Sequence, residues 1–234
     1  MRERPSVSLV IPMFNEEENI EHAIDYAVDA LERHAGDYEI LVVNDASQDR
    51  SPEIVERLAA ANPRIRMLRH AVNRKLGASL KTGFAAARKD LILYTDADLP
   101  VDYGQLPRAV HLLECQQADL LAGYRFDRTS EGLHRAVYTI GYHVLIRLLF
   151  GLRIRDVNFA FKLFRRSLLQ TIALKSDGSF IDAELLLRAR KTGAVMIQMG
   201  LDYFPRTRGP SKLSSLGVIA AILREMAGQW RELR

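Results

Sequence analysis

The sequence predicts an α/β protein built on a mostly parallel, doubly wound sheet. Short apolar runs alternate with amphipathic helical stretches through the first half of the 234 residues, which is the pattern of repeated strand–helix units. Aspartate-rich clusters directly follow two of the apolar runs. Since ligands bind at the carboxyl ends of the strands in such sheets, these clusters mark the candidate site.

The first half contains five predicted strands, each a short apolar run. They cover 7–12, 38–43, 65–69, 91–95 and 119–122. Helices are predicted between them, the first running to about residue 34 with Asn15 as its N-cap. The second helix opens at Ser51 and Pro52. Two more helices are predicted over 78–88 and 105–116.

The second half is less regular, but it continues the same alternation. Helices are predicted over 132–152 and 182–191, strands over 159–164 and 195–204, and an amphipathic helix over 216–233. No linker composition separates the two halves. We therefore expect one domain, in which the second half extends the first half's sheet.

Charge is unevenly distributed along the chain. The net charge of +4 combines −6 over residues 1–120 with +10 over residues 121–234. A cationic second half favours an anionic partner, such as a phosphate, a nucleic acid or an acidic membrane surface. The single cysteine excludes an intrachain disulfide, and the opening residues lack a signal-peptide pattern, so we expect a cytoplasmic protein.

Asp96 and Asp98 are the most specific chemical signal. They directly follow the apolar run 91–94, so both carboxylates can face one hard cation at the strand end. Mg²⁺ is typically held by one or two carboxylates together with substrate phosphates. A solvated turn is the competing interpretation, since aspartate before Pro100 is common in turns.

Weaker signals lie elsewhere along the chain. Asp45 follows the second strand, where its carboxylate can accept hydrogen bonds from a nucleobase or ribose. Asp182 and Glu184 open a helix, and one of them can face the site as a general base. Residues 205–214 read PRTRGPSKLS and form a basic segment that can donate charge-assisted hydrogen bonds to phosphates.

Seven segments, in order along nearly the whole chain, carry a family resemblance. They are VSLVIPMFNEEENI, EILVVNDASQDRS, LGASLKTGFAAAR, TDADLP, GYR, DVNFAFKLFRR and RTRGPSKLS. Together they resemble the family 2 inverting glycosyltransferases, and most closely the branch of dolichol- and polyprenyl-phosphate mannose synthases. Asn44, Tyr124 and Ala160 stand where that family more usually has Asp, Ser and Gly.

The resemblance implies a single glycosyltransferase A-type, Rossmann-like domain over residues 1–234, with a mostly parallel mixed sheet. Residues 1–122 would bind the nucleotide sugar. Residues 123–234, with the C-terminal amphipathic helix, would bind the acceptor. The implied donor contacts are Pro12, Asn15, Glu16, Asp45, Asp49, Arg206 and Lys212. The implied acceptor-phosphate contacts are Arg125, Arg135 and Thr139, and the implied metal ligands are Asp96 and Asp98.

The implied reaction is metal-dependent transfer of mannose or glucose, with Mg²⁺ or Mn²⁺, from a donor of the GDP-mannose or UDP-glucose type. Catalysis would rest on Asp96, Asp98, Arg125 and Asp182. The implied acceptor is polyprenyl or dolichyl phosphate, which adds peripheral contact with the cytoplasmic face of a membrane. A lipid phosphate is already ionised and needs no base, whereas a hydroxyl acceptor would need Asp182.

Three other functions are weighed against this one. A soluble glycosyltransferase with a glycan, protein or small-molecule hydroxyl acceptor shares the donor chemistry and differs in the acceptor. A nucleotidyltransferase would usually carry a glycine-rich basic loop after its first strand, where this chain has PMFNEEEN. A nucleic-acid-binding module conflicts with the paired Asp96 and Asp98, which would repel a polyanion, so no nucleic-acid partner is expected.

Overall fold

The computed structural model describes residues 4–98, 101–126, 133–202 and 216–234, with the backbone alone at 133–138 and 216. Within these residues a seven-stranded sheet has the order β3-β2-β1-β4-β6-β5-β7. The strands β1 to β7 are Ser6–Met13, Asp37–Asn44, Ile65–Arg69, Leu91–Thr95, Leu120–Arg125, Phe161–Arg165 and Met196–Leu201. The helices α1 to α7 are Ile20–His34, Ser51–Ala61, Lys75–Ala86, Leu106–Cys115, Leu133–Phe150, Ile181–Lys191 and Leu216–Leu233.

The mostly parallel, mixed sheet predicted from the sequence is confirmed. All pairings recorded in the described residues are parallel except those of β6, which runs antiparallel to both β4 and β5. The sheet runs without a break from the first half of the chain into the second, because β4 pairs with β6. The strand order reverses at β1, which lies between β2 and β4, and this is where ligands bind in doubly wound sheets.

Helices cover both faces of the sheet, as a doubly wound fold requires. One apolar layer includes Ile24 of α1, Val55 of α2 and Ala109 of α4. The opposite layer includes Phe84 of α3 and Leu186 of α6. Alternate side chains of each strand point to opposite faces, so one strand supplies both layers. Burial on both faces explains why the central strands are near-continuous apolar runs.

The first helix begins later than the sequence predicts. Asn15 was expected to cap it, but α1 starts at Ile20. Asn15 instead adopts a positive φ of 53°, and its side chain accepts a hydrogen bond from the backbone of Gln48. Asparagine tolerates this left-handed conformation better than most residues do. Asn15 therefore lies in the loop before α1 and does not cap the helix.

Helices α5 and α7 lie on the same side of the sheet, and each buries only part of its apolar surface. Helix α7 buries Met226 and Leu233 against the fold and leaves Leu223 and Trp230 exposed. Helix α5 buries Ile146 and leaves an apolar stripe exposed on its other side. In the described parts of the chain, none of the helices is both long and apolar enough to span a bilayer.

Candidate active site

The candidate site lies at the carboxyl edge of β1, β2 and β4, where the chain leaves three neighbouring strands. The segments concerned are 14–19, 45–50 and 96–98. A fourth contribution comes from β5, whose end at Arg125 lies at the same edge, two strand positions from β4. Two strand spacings correspond to roughly 10 Å, so groups at the ends of β4 and β5 can act on opposite parts of one substrate.

The loops after β1 and β2 are tied to each other by reciprocal hydrogen bonds. The backbone N–H of Asn15 donates to Ser47 Oγ (3.0 Å), and Gln48 N–H donates to Asn15 Oδ1 (2.8 Å). The backbone N–H of Glu17 donates to Asp49 Oδ2 (3.0 Å). Hydrogen bonds therefore join the two loops into one unit.

Asp49 is a structural part of this unit. Its Oδ1 accepts hydrogen bonds from both the N–H and the hydroxyl of Ser51, while Oδ2 accepts from Glu17. Burial would raise the pKa of Asp49, but these hydrogen bonds outweigh it and the pKa is lowered. The carboxylate is thus kept ionised by the loop that it holds. A direct contact between Asp49 and the donor stays a prediction.

Asp45 is buried and organises the loop before α3. Its Oδ1 accepts from His70 Nδ1 (2.7 Å) and from the N–H of Arg74 (2.8 Å), and its Oδ2 accepts from the N–H of Lys75 (2.8 Å). Because both oxygens are engaged, Asp45 fixes the path of residues 70–75. His70 Nε2 lies 2.9 Å from Thr82 Oγ1, which ties the loop to α3.

Asp96 and Asp98 follow β4, as predicted, and their carboxylates are partly buried. Burial, together with the charges of Asp98 and Asp182, raises the pKa of Asp96 to about 8, and the nearby Lys162 opposes this shift. Burial raises the pKa of the Tyr94 hydroxyl, and the charges of Asp182, Asp96 and Asp98 raise it further. Two close carboxylates that disfavour each other's ionisation form a site whose charge a divalent cation would balance.

The oxygen ligands available here suit a Mg²⁺ or Mn²⁺ ion that is also bound by substrate oxygens. They do not suit a metal held by protein ligands alone. In the described segments no cluster of three or more His, Cys, Asp or Glu could hold a metal on its own. Mg²⁺ usually binds one or two carboxylates and takes further oxygens from water and substrate phosphates. Glu16 adds to the negative potential, since its charge also raises the pKa of Asp96. Pro12, near the end of β1, is half-buried beside this edge.

Lys162 is a site residue that the sequence reasoning missed. Its side chain is fully buried in β6, donates to the carbonyl of Phe159 (2.9 Å) and forms an ion pair with Asp182 Oδ1. Its Nζ lies 5.3 Å from the centre of the Tyr94 ring. A buried lysine is rare without a partner, so a lysine within the apolar run FKLF is the signal that could have found it.

The ion pair of Lys162 and Asp182 shows which carboxylate of α6 faces the candidate site. Asp182 points toward Lys162 and the end of β4; burial raises its pKa, and Lys162 opposes this effect. Glu184 accepts hydrogen bonds from the N–H groups of Lys175 (2.8 Å) and Ser176 (2.7 Å), so it holds the segment before α6. Asp182 is therefore the carboxylate of α6 that lies toward Asp96 and Asp98.

Arg125 is held at the end of β5 by Asp156. Its Nε donates to Asp156 Oδ2 (2.7 Å) and its Nη2 to Asp156 Oδ1 (3.1 Å). Both side chains are buried, at 7% and 0% exposure. His143 Nε2 accepts the N–H of Val157 (3.1 Å) beside this pair. Such a bidentate pair fixes the plane of the guanidinium, so any contact of Arg125 with a phosphate would come from an already oriented group.

The remaining predicted contacts are placed only in part. Thr139 lies in α5 and is half-buried. Arg135 lies in the same helix, and its side chain is outside the described part of the structure. Arg206 and Lys212 lie outside the described residues altogether. Their roles stay predictions.

Comparison with known proteins identifies a family and several relatives. The family model described as glycosyl transferase family 2 matches residues 8–173. The chain is 30% identical over 234 residues to glycosyltransferase AglD of Haloferax volcanii, covering 97% of this chain and 37% of AglD. It is 28% identical over 243 residues to dolichyl-phosphate beta-glucosyltransferase ALG5A of Trichomonas vaginalis, covering 96% of this chain and 75% of ALG5A.

A third relative is a transferase named for undecaprenyl phosphate. The chain is 30% identical over 217 residues to undecaprenyl-phosphate 4-deoxy-4-formamido-L-arabinose transferase of Pectobacterium atrosepticum, covering 92% of this chain and 64% of that protein. The chain thus spans little more than a third of AglD, at 37%, and 64% to 75% of the other two relatives.

Solved structures share the fold at lower identity. Mannosyl-3-phosphoglycerate synthase from Rubrobacter xylanophilus matches with a TM-score of 0.72 and 21% identity, covering 97% of this chain and 75% of that one. Glucosyl-3-phosphoglycerate synthase from Mycobacterium tuberculosis, crystallised with Mn²⁺ and UDP-glucose, matches with a TM-score of 0.71 and 20% identity, covering 98% and 79%. The predicted glycosyltransferase A-type fold is confirmed.

Proposed function

Because the chain belongs to glycosyl transferase family 2, we propose that it transfers a hexose, with inversion, from a nucleotide-diphosphate donor to a polyprenyl or dolichyl phosphate. The donor half is residues 1–122 and the acceptor half residues 123–234. Mannose and glucose are the favoured sugars. Relatives named for transfer to dolichyl phosphate and undecaprenyl phosphate support the lipid phosphate as the acceptor class.

The observation that carries the acceptor proposal is the buried ion pair of Lys162 and Asp182. A hydroxyl acceptor must lose a proton as it attacks, so it needs a base with a lone pair available toward it. Asp182 is the carboxylate in position for that task. Its Oδ1 accepts a hydrogen bond from Lys162, and this pairing lowers the proton affinity of the carboxylate, although burial raises its pKa overall. A phosphate acceptor attacks as an anion and needs no base. The pair therefore supports a phosphate acceptor over a hydroxyl.

The chain's own residues divide the remaining work. Asp96 and Asp98 would hold Mg²⁺ or Mn²⁺, which neutralises the charge of the leaving diphosphate. The joined loops 14–19 and 45–50, with the loop that Asp45 organises, form a preformed cradle for the nucleoside. Arg125, oriented by Asp156, orients the acceptor phosphate. Catalysis then rests on positioning and charge stabilisation.

Peripheral contact with a membrane is part of the proposal. Ile140, Val144 and Leu148 are spaced four residues apart on α5 and are 58%, 49% and 77% exposed. Helix α5 carries no acidic residue, and Arg147 and Arg153 lie near the end of the stripe. An apolar stripe beside cations suits the surface of an anionic bilayer. Contact there would bring the lipid phosphate to the end of β5.

Sugar transfer itself tests the function. Purified protein is incubated with Mn²⁺ or Mg²⁺, polyprenyl phosphate and each of a panel of radiolabelled nucleotide sugars, and label in the lipid extract is counted. We expect one donor to label the lipid and Asp98→Ala to abolish the labelling. Donor turnover with label only in water-soluble products would favour the hydroxyl-acceptor alternative. If none of the nucleotide sugars is bound or consumed, the proposed function is wrong.

A further inference from the structure

Two side chains from different helices hold buried polar atoms that the donor chemistry above does not use. The hydroxyl of Tyr142, on α5, and the Oε2 atom of Glu225, on α7, are buried without a hydrogen-bond partner in the described structure. Leaving such atoms unsatisfied costs about 1–3 kcal/mol each, and more for a charged group. Such atoms are candidates for hydrogen bonds with a ligand or with a buried water.

Glu225 is fixed in place by the segment before α6. Its Oε1 accepts hydrogen bonds from the N–H groups of Asp177 (3.1 Å) and Gly178 (2.7 Å). A Cβ atom at position 178 would lie 2.9 Å from Glu225 Oε2, so a side chain there would displace this carboxylate from its present position. Since one oxygen is held by two backbone donors, the direction of the other oxygen is set by the fold.

The location of these atoms connects them with the donor site. Gly178 accepts the N–H of Ile181 (3.3 Å), so Glu225 is bound to the turn that opens α6 and carries Asp182. Burial raises the pKa of Tyr142, and the charges of Asp182 and Glu225 raise it further, which is the behaviour of a phenol close to both carboxylates. Asp182 in turn lies toward the end of β4, because its partner Lys162 has its Nζ 5.3 Å from the centre of the Tyr94 ring, two residues before Asp96.

The chemistry of the two atoms selects one part of the substrate. A carboxylate oxygen repels the donor diphosphate and the acceptor phosphate, so neither suits Glu225. A sugar hydroxyl can donate to the carboxylate and can also accept from, or donate to, the phenol. We infer that Tyr142 and Glu225 bind hydroxyl groups of the transferred sugar and thereby contribute to the choice of sugar. This inference rests on the proposed function.

Two conservative variants test it. Tyr142→Phe removes the hydroxyl alone, and Glu225→Gln keeps an oxygen for Asp177 and Gly178 while replacing Oε2 by a donor. Binding of UDP and UDP-glucose, and of GDP and GDP-mannose, is measured by calorimetry with Mn²⁺ for wild type and each variant. We expect nucleotide diphosphates to bind within about twofold of wild type, and the nucleotide sugar to bind about tenfold more weakly, the loss of one hydrogen bond.

Thermal unfolding separates a binding role from a structural one. Tyr142→Phe removes an unsatisfied buried group, so its melting temperature should equal or exceed that of wild type while its sugar affinity falls. Tyr26→Phe is the matched control, because the Tyr26 hydroxyl donates to Asp102. We expect that variant to melt lower and to keep wild-type affinity for the nucleotide sugar.

The outcomes are distinct. If wild type binds the nucleotide sugar and both variants bind it equally well, the inference is overturned and water satisfies these atoms. If the variants lose nucleotide diphosphate and nucleotide sugar affinity alike, or melt well below wild type, the two side chains are structural and the inference is again overturned. If wild type binds none of the four ligands, the proposed function fails first, and the inference fails with it.

Discussion

The ion pair of Lys162 and Asp182 determines what each residue can do at the site. Both groups are buried, and the pairing leaves neither charge uncompensated in a low-dielectric region. The sequence suggested Asp182 as a base for a hydroxyl acceptor, but the local pattern does not show that Lys162, 20 residues earlier, pairs with this carboxylate. A single substitution at either residue would leave the partner's charge buried and unpaired. The acceptor class is therefore better tested with a double variant.

We expect Lys162→Met and Asp182→Asn each to lower the free energy of unfolding by about 3–5 kcal/mol. The double variant removes both charges and should recover most of that loss, as measured by urea unfolding. Transfer to polyprenyl phosphate by the double variant should stay within about tenfold of wild type, because loss of a true general base costs at least about a hundredfold. A folded double variant with a larger loss would contradict the base-free mechanism.

Asp45 is the second residue whose role the structure defines, because its carboxylate holds the loop of residues 70–75 by hydrogen bonds. In Asp45→Asn, an NH2 group that cannot accept replaces one carboxylate oxygen, so at least one of the backbone hydrogen bonds that Asp45 now receives from residues 74 and 75 is lost. We expect a loss of about 1–3 kcal/mol in unfolding free energy and several-fold weaker binding of nucleotide diphosphate. Asp29→Asn, which breaks an exposed pair with Arg33, is the control and should change both by little. Equal effects of the two substitutions would refute an organising role for Asp45.

At the scale of elements, the apolar periodicity predicted the strands of the first half well. Strands β3 and β4 match their predicted bounds, and β1 and β2 differ by one residue at each end. The orientation of β6 could not be derived, because a short apolar run is the same in a parallel and an antiparallel strand. The start of α1 was wrong because the left-handed backbone of Asn15 depends on a loop about 30 residues further along the chain.

The candidate site was predictable where strands end and not where distant segments meet. Asp96 and Asp98 follow an apolar run directly, so their position could be read from the sequence. The contact of Asp45 with His70 joins residues 25 positions apart, and that of Arg125 with Asp156 joins residues 31 apart. Such pairings depend on the order of strands, which the local pattern does not encode.

Helix α5 provides a prediction at this scale. Val144→Asp and Leu148→Asp place a charge on its exposed apolar stripe, so both should reduce flotation of the protein with anionic phospholipid vesicles. Val195→Asp is the matched control, because Val195 is 48% exposed and Val144 is 49% exposed. Flotation that is unchanged in the α5 variants, or equally reduced in the control, would exclude α5 as the membrane-facing surface. A change in oligomeric state in place of vesicle binding would indicate contact between two copies.

For the molecule as a whole, the opposite net charges of the two halves of the chain match the residues that each half brings to the candidate site. The first half, at −6, contains the carboxylates that would bind a cation, and the second half, at +10, contains the arginines expected to meet an anionic acceptor. The shared sheet brings the end of β4 and the end of β5 to one edge. The charge asymmetry is therefore arranged across the proposed reaction centre.

Metal removal tests the first half of that arrangement. Mn²⁺ bound at Asp96 and Asp98 would balance their charge, so we expect it to raise the melting temperature of wild type and not that of Asp98→Asn. A chelator should stop sugar transfer, and Mn²⁺ or Mg²⁺ added in excess should restore it. Full activity in the chelated protein would exclude a metal-dependent mechanism.

The most direct test of the central claim compares two acceptors that differ in one group. Release of nucleotide diphosphate is measured with polyprenyl phosphate and with the polyprenol of the same chain length, under identical detergent and metal conditions. We predict that polyprenyl phosphate stimulates release of nucleotide diphosphate and that the alcohol leaves release at the rate measured without acceptor. Equal stimulation by the alcohol, or stimulation by the alcohol alone, would contradict transfer to an ionised phosphate.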